Sequence, residues 1–162
     1  MQPLSETQLR ASLVNATPDV GERMTLPGLH EIIWDQRDFL GWRDSRASHR
    51  AYLFSWREGR PVGLLLRAAE NRMRPGVLAM CSLCGTQQPA GHVGLFTAPL
   101  SGEAGLQGST VGTYLCDDFS CSLTIRNATV SEFQPSTPEL VTRRVQSLRS
   151  RLDGFVGRVL AG

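Results

Sequence analysis

The chain has no lysine; all 17 of its basic side chains are arginine. Codon usage in a GC-rich genome would produce that bias. So would selection for the bidentate contacts that a guanidinium makes and an ammonium does not. Composition does not separate the two. Net charge is only +2, so the chain also lacks the strongly basic balance common in nucleic-acid-binding domains. It has no apolar run near the roughly 20 residues that cross a bilayer, which predicts a soluble protein with no membrane partner. No signal peptide opens it, because Met1-Gln-Pro-Leu-Ser-Glu6 leads straight into a polar, amphipathic stretch. A cytoplasmic location is the expectation. Signatures of catalysis are missing as well: no phosphate-binding glycine loop, no Gly-x-Ser-x-Gly, and no pair of carboxylates set in an apolar stretch. The expectation is a binding protein, not an enzyme.

What the chain does have is four cysteines in two close pairs, Cys81-Ser-Leu-Cys84 and Cys116-Asp-Asp-Phe-Ser-Cys121, with a glycine-rich stretch between. A Cys-x-x-Cys turn lets two thiolates converge on one ion, and a second close pair completes a tetrahedral sulfur shell. Soft thiolates favour zinc, with iron the main competitor. Disulfides are one alternative, but a cytosolic chain keeps its thiols reduced. A thioredoxin-like redox pair is another. That motif follows a strand and opens a helix, whereas here Gly85, Pro89, Gly91 and Gly94 follow, which is turn and hairpin chemistry. It would also leave Cys116 and Cys121 without a role. Four unrelated core cysteines would not fall into two tight pairs. The spacing therefore predicts one zinc on Cys81, Cys84, Cys116 and Cys121. A catalytic zinc keeps a position open for water and usually takes histidine or carboxylate ligands, so a closed set of four sulfurs predicts a structural ion. His92 is the only histidine near enough to compete, and it reads as an exposed loop residue. His30 and His49 lie far off, with no acid or nucleophile beside them.

Local patterns frame this centre. Ser5-Glu-Thr-Gln8 has the form of a capping box, and Leu9 and Leu13 extend it into a helix over about Thr7 to Asn15. Thr17-Pro18 starts a second helix that ends near Met24. Leu29 to Asp44 is dense in large side chains with charges between them, and reads as an irregular or short helical piece. Its tryptophans, Trp34 and Trp42, read as core or partial core. Arg50–Arg57 and Pro61–Ala68 form a hairpin across Glu58-Gly59-Arg60, with Tyr52, Phe54 and Trp56 on one face and Leu53 on the other. A turn over Asn71–Gly76 leads into the short strand Val77–Met80, which delivers Cys81. Val93–Thr97 pairs with Ser109–Leu115 across a loop, Ala98–Gly108, too rich in glycine for a helix. Cys121–Arg126 opens a helix whose N-terminal amides suit a thiolate. Asn127–Ser136 is a linker. Thr137-Pro-Glu139 caps the longest helix, with an apolar stripe from Leu140 to Val159 and a solvated face of Arg143, Arg144, Arg149, Arg151 and Arg158; an anionic partner surface is the functional alternative for those arginines.

A knuckle, a hairpin and a ligand pair at a helix start is the order of a treble-clef zinc site. The fold class read from the sequence is α+β: antiparallel β-hairpins with a treble-clef zinc site, two short N-terminal helices and a long C-terminal helix. One domain spans 1–162, divided into a helical segment over 1–45, a hairpin region over 50–80, the zinc finger over 81–126 and the last helix over 137–160.

Particular runs resemble a known family. Asp38-Phe-Leu-Gly-Trp42, the hairpin Arg50–Ala68, Cys81-Ser-Leu-Cys84, Val111-Gly-Thr-Tyr-Leu-Cys116 with Asp117-Asp-Phe-Ser-Cys121, and Leu152-Asp-Gly-Phe-Val-Gly-Arg-Val-Leu160 are similar to the C-terminal treble-clef domain of elongation factor G-binding proteins. These are relatives of the fusidic-acid-resistance proteins, with stand-alone forms in actinobacteria. The resemblance implies one zinc on the four cysteines, binding to the translational GTPase elongation factor G, and eased release of that factor from the ribosome. In the resistance proteins this domain follows a helical bundle, whereas here two short helices stand in front. Expected partner contacts lie on the loop Gly102–Gly108, named as Leu106 and Gln107, and on Arg126 beside the metal. The alternative is a ribosome- or nucleic-acid-binding zinc-finger protein, with direct nucleic-acid binding the weaker expectation.

Overall fold

Strands Arg50–Arg57 (β2) and Arg60–Ala68 (β3) form the hairpin around which two apolar cores are built. The computed structural model describes residues 1–70, 74, 76–127 and 137–162. Glu58 and Gly59 join the two strands at φ +50° and +74°, the left-handed pair that matches strand twist in a two-residue turn. Side chains alternate across the pleat. Tyr52, Phe54 and Trp56 share one face, as the sequence predicts, and Trp34 and Trp42 pack there with them. Ala51, Leu53, Leu64 and Leu66 pack on the other.

Among the described residues the main sheet has five strands, all antiparallel, in the order β1-β2-β3-β6-β7. The remaining members are Leu40–Arg43 (β1), Val93–Pro99 (β6) and Thr110–Cys116 (β7). A separate two-stranded piece, Leu78–Met80 (β4) and Gln87–Pro89 (β5), carries the first cysteines.

Strand β1 corrects the reading of Leu29–Asp44. The 3-10 turns Leu29–Glu31 and Trp34–Gln36 fit it, but Leu40–Arg43 is a strand. Its alternation was hidden because Gly41 is silent in a pattern. A Cβ there would lie 2.4 Å from the Phe119 ring.

β3 and β6 pair only around Arg67 and Ala68 and then diverge. The N-terminal segment fills the gap. Val14 N–H donates to the Gly63 carbonyl at 2.9 Å, and Gly63 N–H donates to Ser12 at 2.8 Å. Asn15 closes the split: its amide donates to the Leu65 carbonyl at 3.0 Å and to that of Pro99 at 2.9 Å, and its oxygen accepts from Leu65 N–H at 2.7 Å. This pairing explains why helix α1, capped by the expected box at Ser5 and Gln8, spans Glu6–Ala11 and stops short of Asn15. Sheet hydrogen bonds outcompete another helical turn. Helix α2 is Pro18–Arg23, followed by Met24 as expected.

A second correction falls between β6 and β7. The loop expected over Ala98–Gly108 contains a one-turn helix, Gly102–Leu106 (α3). The glycines that argued against it are its steric requirement. Gly102 sits at φ +69°, and a Cβ on Gly105 would lie 1.7 Å from the Leu100 carbonyl oxygen.

Helices Cys121–Asn127 (α4) and Pro138–Leu160 (α5) cover the face of Leu53 and Leu66. Thr137 caps α5 by accepting from Leu140 N–H at 3.3 Å, and Leu148, Leu152, Phe155, Val156 and Val159 are its buried stripe. The arginine face of α5 is only partly a solvated one. Arg149 Nε donates to Asp38 at 2.9 Å, Arg144 to the Ile125 carbonyl at 3.3 Å, and Arg151 to that of Leu83 at 3.1 Å. The linker expected over Asn127–Ser136 lies, beyond Asn127, outside the described residues, as does most of the turn expected over Asn71–Gly76. No helix among the described residues is long and apolar enough to cross a membrane.

Candidate metal centre

Strand β4 hands the chain to Cys81, and β5 returns it. The turn between them is a knuckle. Cys84 N–H points at Cys81 Sγ at 3.5 Å, and Gly85 N–H donates to the Cys81 carbonyl at 2.9 Å. Gly85 reverses the chain at φ +70°, a conformation that residues with a Cβ rarely adopt. The second pair sits on another tight turn. Cys116 ends β7, Phe119 N–H donates to its carbonyl at 3.0 Å, and Cys121 is the first residue of α4. Phe119 turns left-handed at φ +57° although it is not glycine. Burial of its ring against Phe96, 5.1 Å between centroids, offsets that strain.

These turns bring the four Sγ atoms within 4.8 Å of one another. Cys81–Cys121 and Cys84–Cys116 are each 3.6 Å apart. A tetrahedral zinc site with Zn–S bonds of about 2.3 Å requires sulfurs about 3.8 Å apart, and disulfide sulfurs bond at about 2.05 Å. The set fits an ion and not a pair of bridges; all four cysteines are free. Cys81, Cys116 and Cys121 are buried and Cys84 is half-buried.

Electrostatics argue the same way. Hydrogen bonding from Cys116, then from Cys121, pulls the Cys81 thiol down to about 7. The same two neighbours pull Cys84 below the ordinary thiol range. Cys121 is pushed up by Cys116, Cys81 and Cys84 together. Cys116 is lowered by Cys121 but raised by Cys81, Cys84 and burial, with a net upward direction. Sulfurs this close share protons because four anions side by side repel one another. A divalent cation removes the conflict by neutralising all four. Zinc is the ion this donor set suits.

His92 is exposed and outside the group of potential ligands, as are His30 and His49. Leu106 projects from α3 with 79% of its surface open, and Gln107 beside it is also exposed. Arg126, expected as a partner contact beside the metal, is turned largely inward. Its Nη1 donates to Asp38 Oδ2 at 2.6 Å and to the Ser122 carbonyl at 2.7 Å, and only 22% of its side chain is open. It ties α4 inward.

Two residues to which the sequence assigns no role of their own stand out. Asp38 has a fully buried carboxylate, held by Arg126 of α4 and Arg149 of α5, while its N–H donates to Ser122 Oγ at 2.9 Å. Gln88 of β5 donates its side-chain amide to Cys116 Sγ at 3.1 Å. Neither carried a signal. Asp38 sits among other charges, and Gln88 is one of two adjacent glutamines.

Residues 8–159 match the family described as FBP C-terminal treble-clef zinc-finger. A solved structure, that of the fusidic acid resistance protein FusC, is similar with a TM-score of 0.53 and 18% sequence identity. The match covers 85% of this chain and 50% of that one, so the chain spans half the length of FusC. At that identity the likeness speaks for the fold. No curated protein matches the chain.

Proposed function

The chain belongs to the FBP C-terminal treble-clef zinc-finger family, and from that premise we propose that it is a zinc-stabilised module that docks onto the translational GTPase elongation factor G. Cys81, Cys84, Cys116 and Cys121 are the metal ligands in this reading. The observation that carries it is the closure of the cage. Four sulfurs within 4.8 Å of one another, on three buried cysteines and one half-buried one, supply a full tetrahedral set and leave no coordination position for water or substrate, so the site is read as structural rather than catalytic. Bound zinc supplies a cross-link between the two turns. The chain's own residues do the rest: Gly85 and Phe119 shape the turns, and Asp38 locks α4 against α5.

The docking surface is assigned to the outside of this scaffold. Leu106 and Gln107 on α3 present an exposed apolar side chain beside an amide. Arg126, committed to Asp38, supports the surface from behind. Eased release of the factor from the ribosome, and protection against fusidic acid, are the proposed consequences of docking. The fold shared with a fusidic acid resistance protein supports that extension, and a cytoplasmic location goes with such a partner.

The test is calorimetric titration of zinc-loaded protein with purified elongation factor G. A saturable complex, weakened when the segment 102–108 is shortened, is the expected result. Equal binding by the shortened variant removes that segment from the site. No binding by the unaltered protein, together with RNA affinity that falls steeply with salt, would move the assignment to a ribosome- or nucleic-acid-binding module.

A further inference from the structure

A divalent ion held by four thiolates leaves the cage with two surplus negative charges. Burying such charge without compensation is costly. Besides the Cys84 N–H on Cys81 Sγ, two side chains on different elements answer that charge. Gln88 lies on β5, in register with Ala79 of β4, and its amide Nε2 stands 3.1 Å from Cys116 Sγ. A thiolate accepts hydrogen bonds and donates none, so the nitrogen is the end of that amide that belongs there. Arg151 projects from α5. Its Nη1 donates to the Leu83 carbonyl at 3.1 Å and would lie 2.7 Å from a Cβ on Gly85. Its guanidinium therefore rests on the knuckle that carries Cys81 and Cys84.

We propose that Gln88 and Arg151 form an outer shell for the sulfur cage, Gln88 by donating to the Cys116 thiolate and Arg151 by setting a cation over the Cys81–Cys84 turn. The proposal rests on the reading of the four cysteines as metal ligands and goes beyond it. Donation to a ligating sulfur withdraws electron density from it. The sulfur becomes a poorer base and nucleophile, so the protonation or alkylation that would free the ion is slowed. Gln88 is the more direct of the two, because its contact is with the sulfur itself. Gly85 has a second use in this arrangement. Besides turning the chain, it leaves the space into which the Arg151 guanidinium fits.

The experiment measures zinc release. Protein with one zinc per chain is treated with N-ethylmaleimide, and the freed ion is read with a chromophoric chelator. Gln88→Leu should release zinc about tenfold faster, the lower end of what removing an outer-shell partner costs in metal affinity. Gln88→Glu should be faster still, since a carboxylate against a thiolate repels. Arg151→Met should show a smaller acceleration, and Arg151→Lys, which keeps the charge, should restore most of it. The control is Gln87→Leu, the same chemical change at an exposed neighbour on the same strand, which should match the unaltered protein. Release from Gln88→Leu within twofold of the unaltered rate overturns the proposal. So does equal acceleration in Gln87→Leu, which would mean that the hairpin had merely loosened. Metal content measured first separates the two claims. One zinc per chain with unchanged release sinks the outer shell alone, whereas no zinc in the unaltered protein sinks the cage and the shell with it.

Discussion

On one face of the β2–β3 hairpin the Trp42 ring stacks on Phe54 at 5.4 Å and leans on Tyr52 at 5.3 Å, with its indole N–H on the Thr25 carbonyl. At the far end of the sheet, β4 and β5 have almost nothing of the kind. Ala79 is the one buried residue of the two strands, clustered with Ala90 and Val93 beyond them, while Leu78 and Met80 are 64% and 55% exposed. The aromatic lobe is held by area removed from water, which nothing short of unfolding returns. The cysteines themselves join the main core, with Cys81, Leu83, Cys116 and Cys121 buried in one cluster with Phe96, Phe119 and Leu152, and the sulfur cage ties that core to two strands with little burial of their own. Structural zinc contributes on the order of 10 kcal/mol in small fingers, against about 1.5–3 kcal/mol for each large side chain buried. One ion thus adds about as much as several buried large side chains. The same chain relies on burial alone around Trp42 and on burial together with coordination at the cysteines.

Breaking the cage should have the largest effect. Cys81→Ser should take the metal content from one zinc per chain to near zero and disorder the knuckle. The near-UV circular dichroism from Trp42 and its neighbours should survive if the two ends are held separately. Collapse of that signal together with the metal would show that they are not.

Next in size is Asp38→Ala, at the junction between the regions. It leaves Arg126, 22% exposed, without its carboxylate. Removing one partner of such a buried pair costs roughly 3–5 kcal/mol, readable as a lower midpoint in urea. Asn15→Ala should cost less, about 2 kcal/mol. It strands the Leu65 N–H and two carbonyls in the split between β3 and β6.

The smallest effect concerns acid. Burial acts to raise the Asp44 carboxyl, but hydrogen bonds from Arg46 N–H, the Tyr52 hydroxyl and Thr25 outweigh it and hold the group below 3.8. A depressed folded value means that this contribution is complete above 3.8 and is lost as pH falls through the lower value. Asp44→Asn should therefore flatten the acid limb of the stability curve below that pH and change its shape little near neutrality. Denaturant midpoints collected across the acid range check this.

How much of this was legible follows from where each instruction sits. Tyr52, Phe54 and Trp56 alternate over adjacent residues, and Glu58-Gly59 marks the turn, so the hairpin and its two faces are written locally. Thr137-Pro138-Glu139 announces α5 in the same way, and the cysteine pairs need only their spacing. Strand β1 was missed because Gly41 contributes nothing to a pattern until Phe119, far along the chain, lies across it. Helix α3 was missed because Gly105 is required by the Leu100 carbonyl and not by its own neighbours. Asp38, Asn15 and Gln88 are long-range pieces. Each satisfies a group supplied by another element, and a single sequence shows no trace of that.

The central claim is that the knuckle end is built on one zinc ion enclosed by sulfur alone. X-ray absorption at the zinc edge of the purified, reduced protein measures this directly. The account predicts one zinc per chain with four sulfur neighbours at about 2.3 Å and no lighter scatterer in the shell. A nitrogen or oxygen neighbour at about 2.0–2.1 Å, or a protein that retains no zinc, would contradict it.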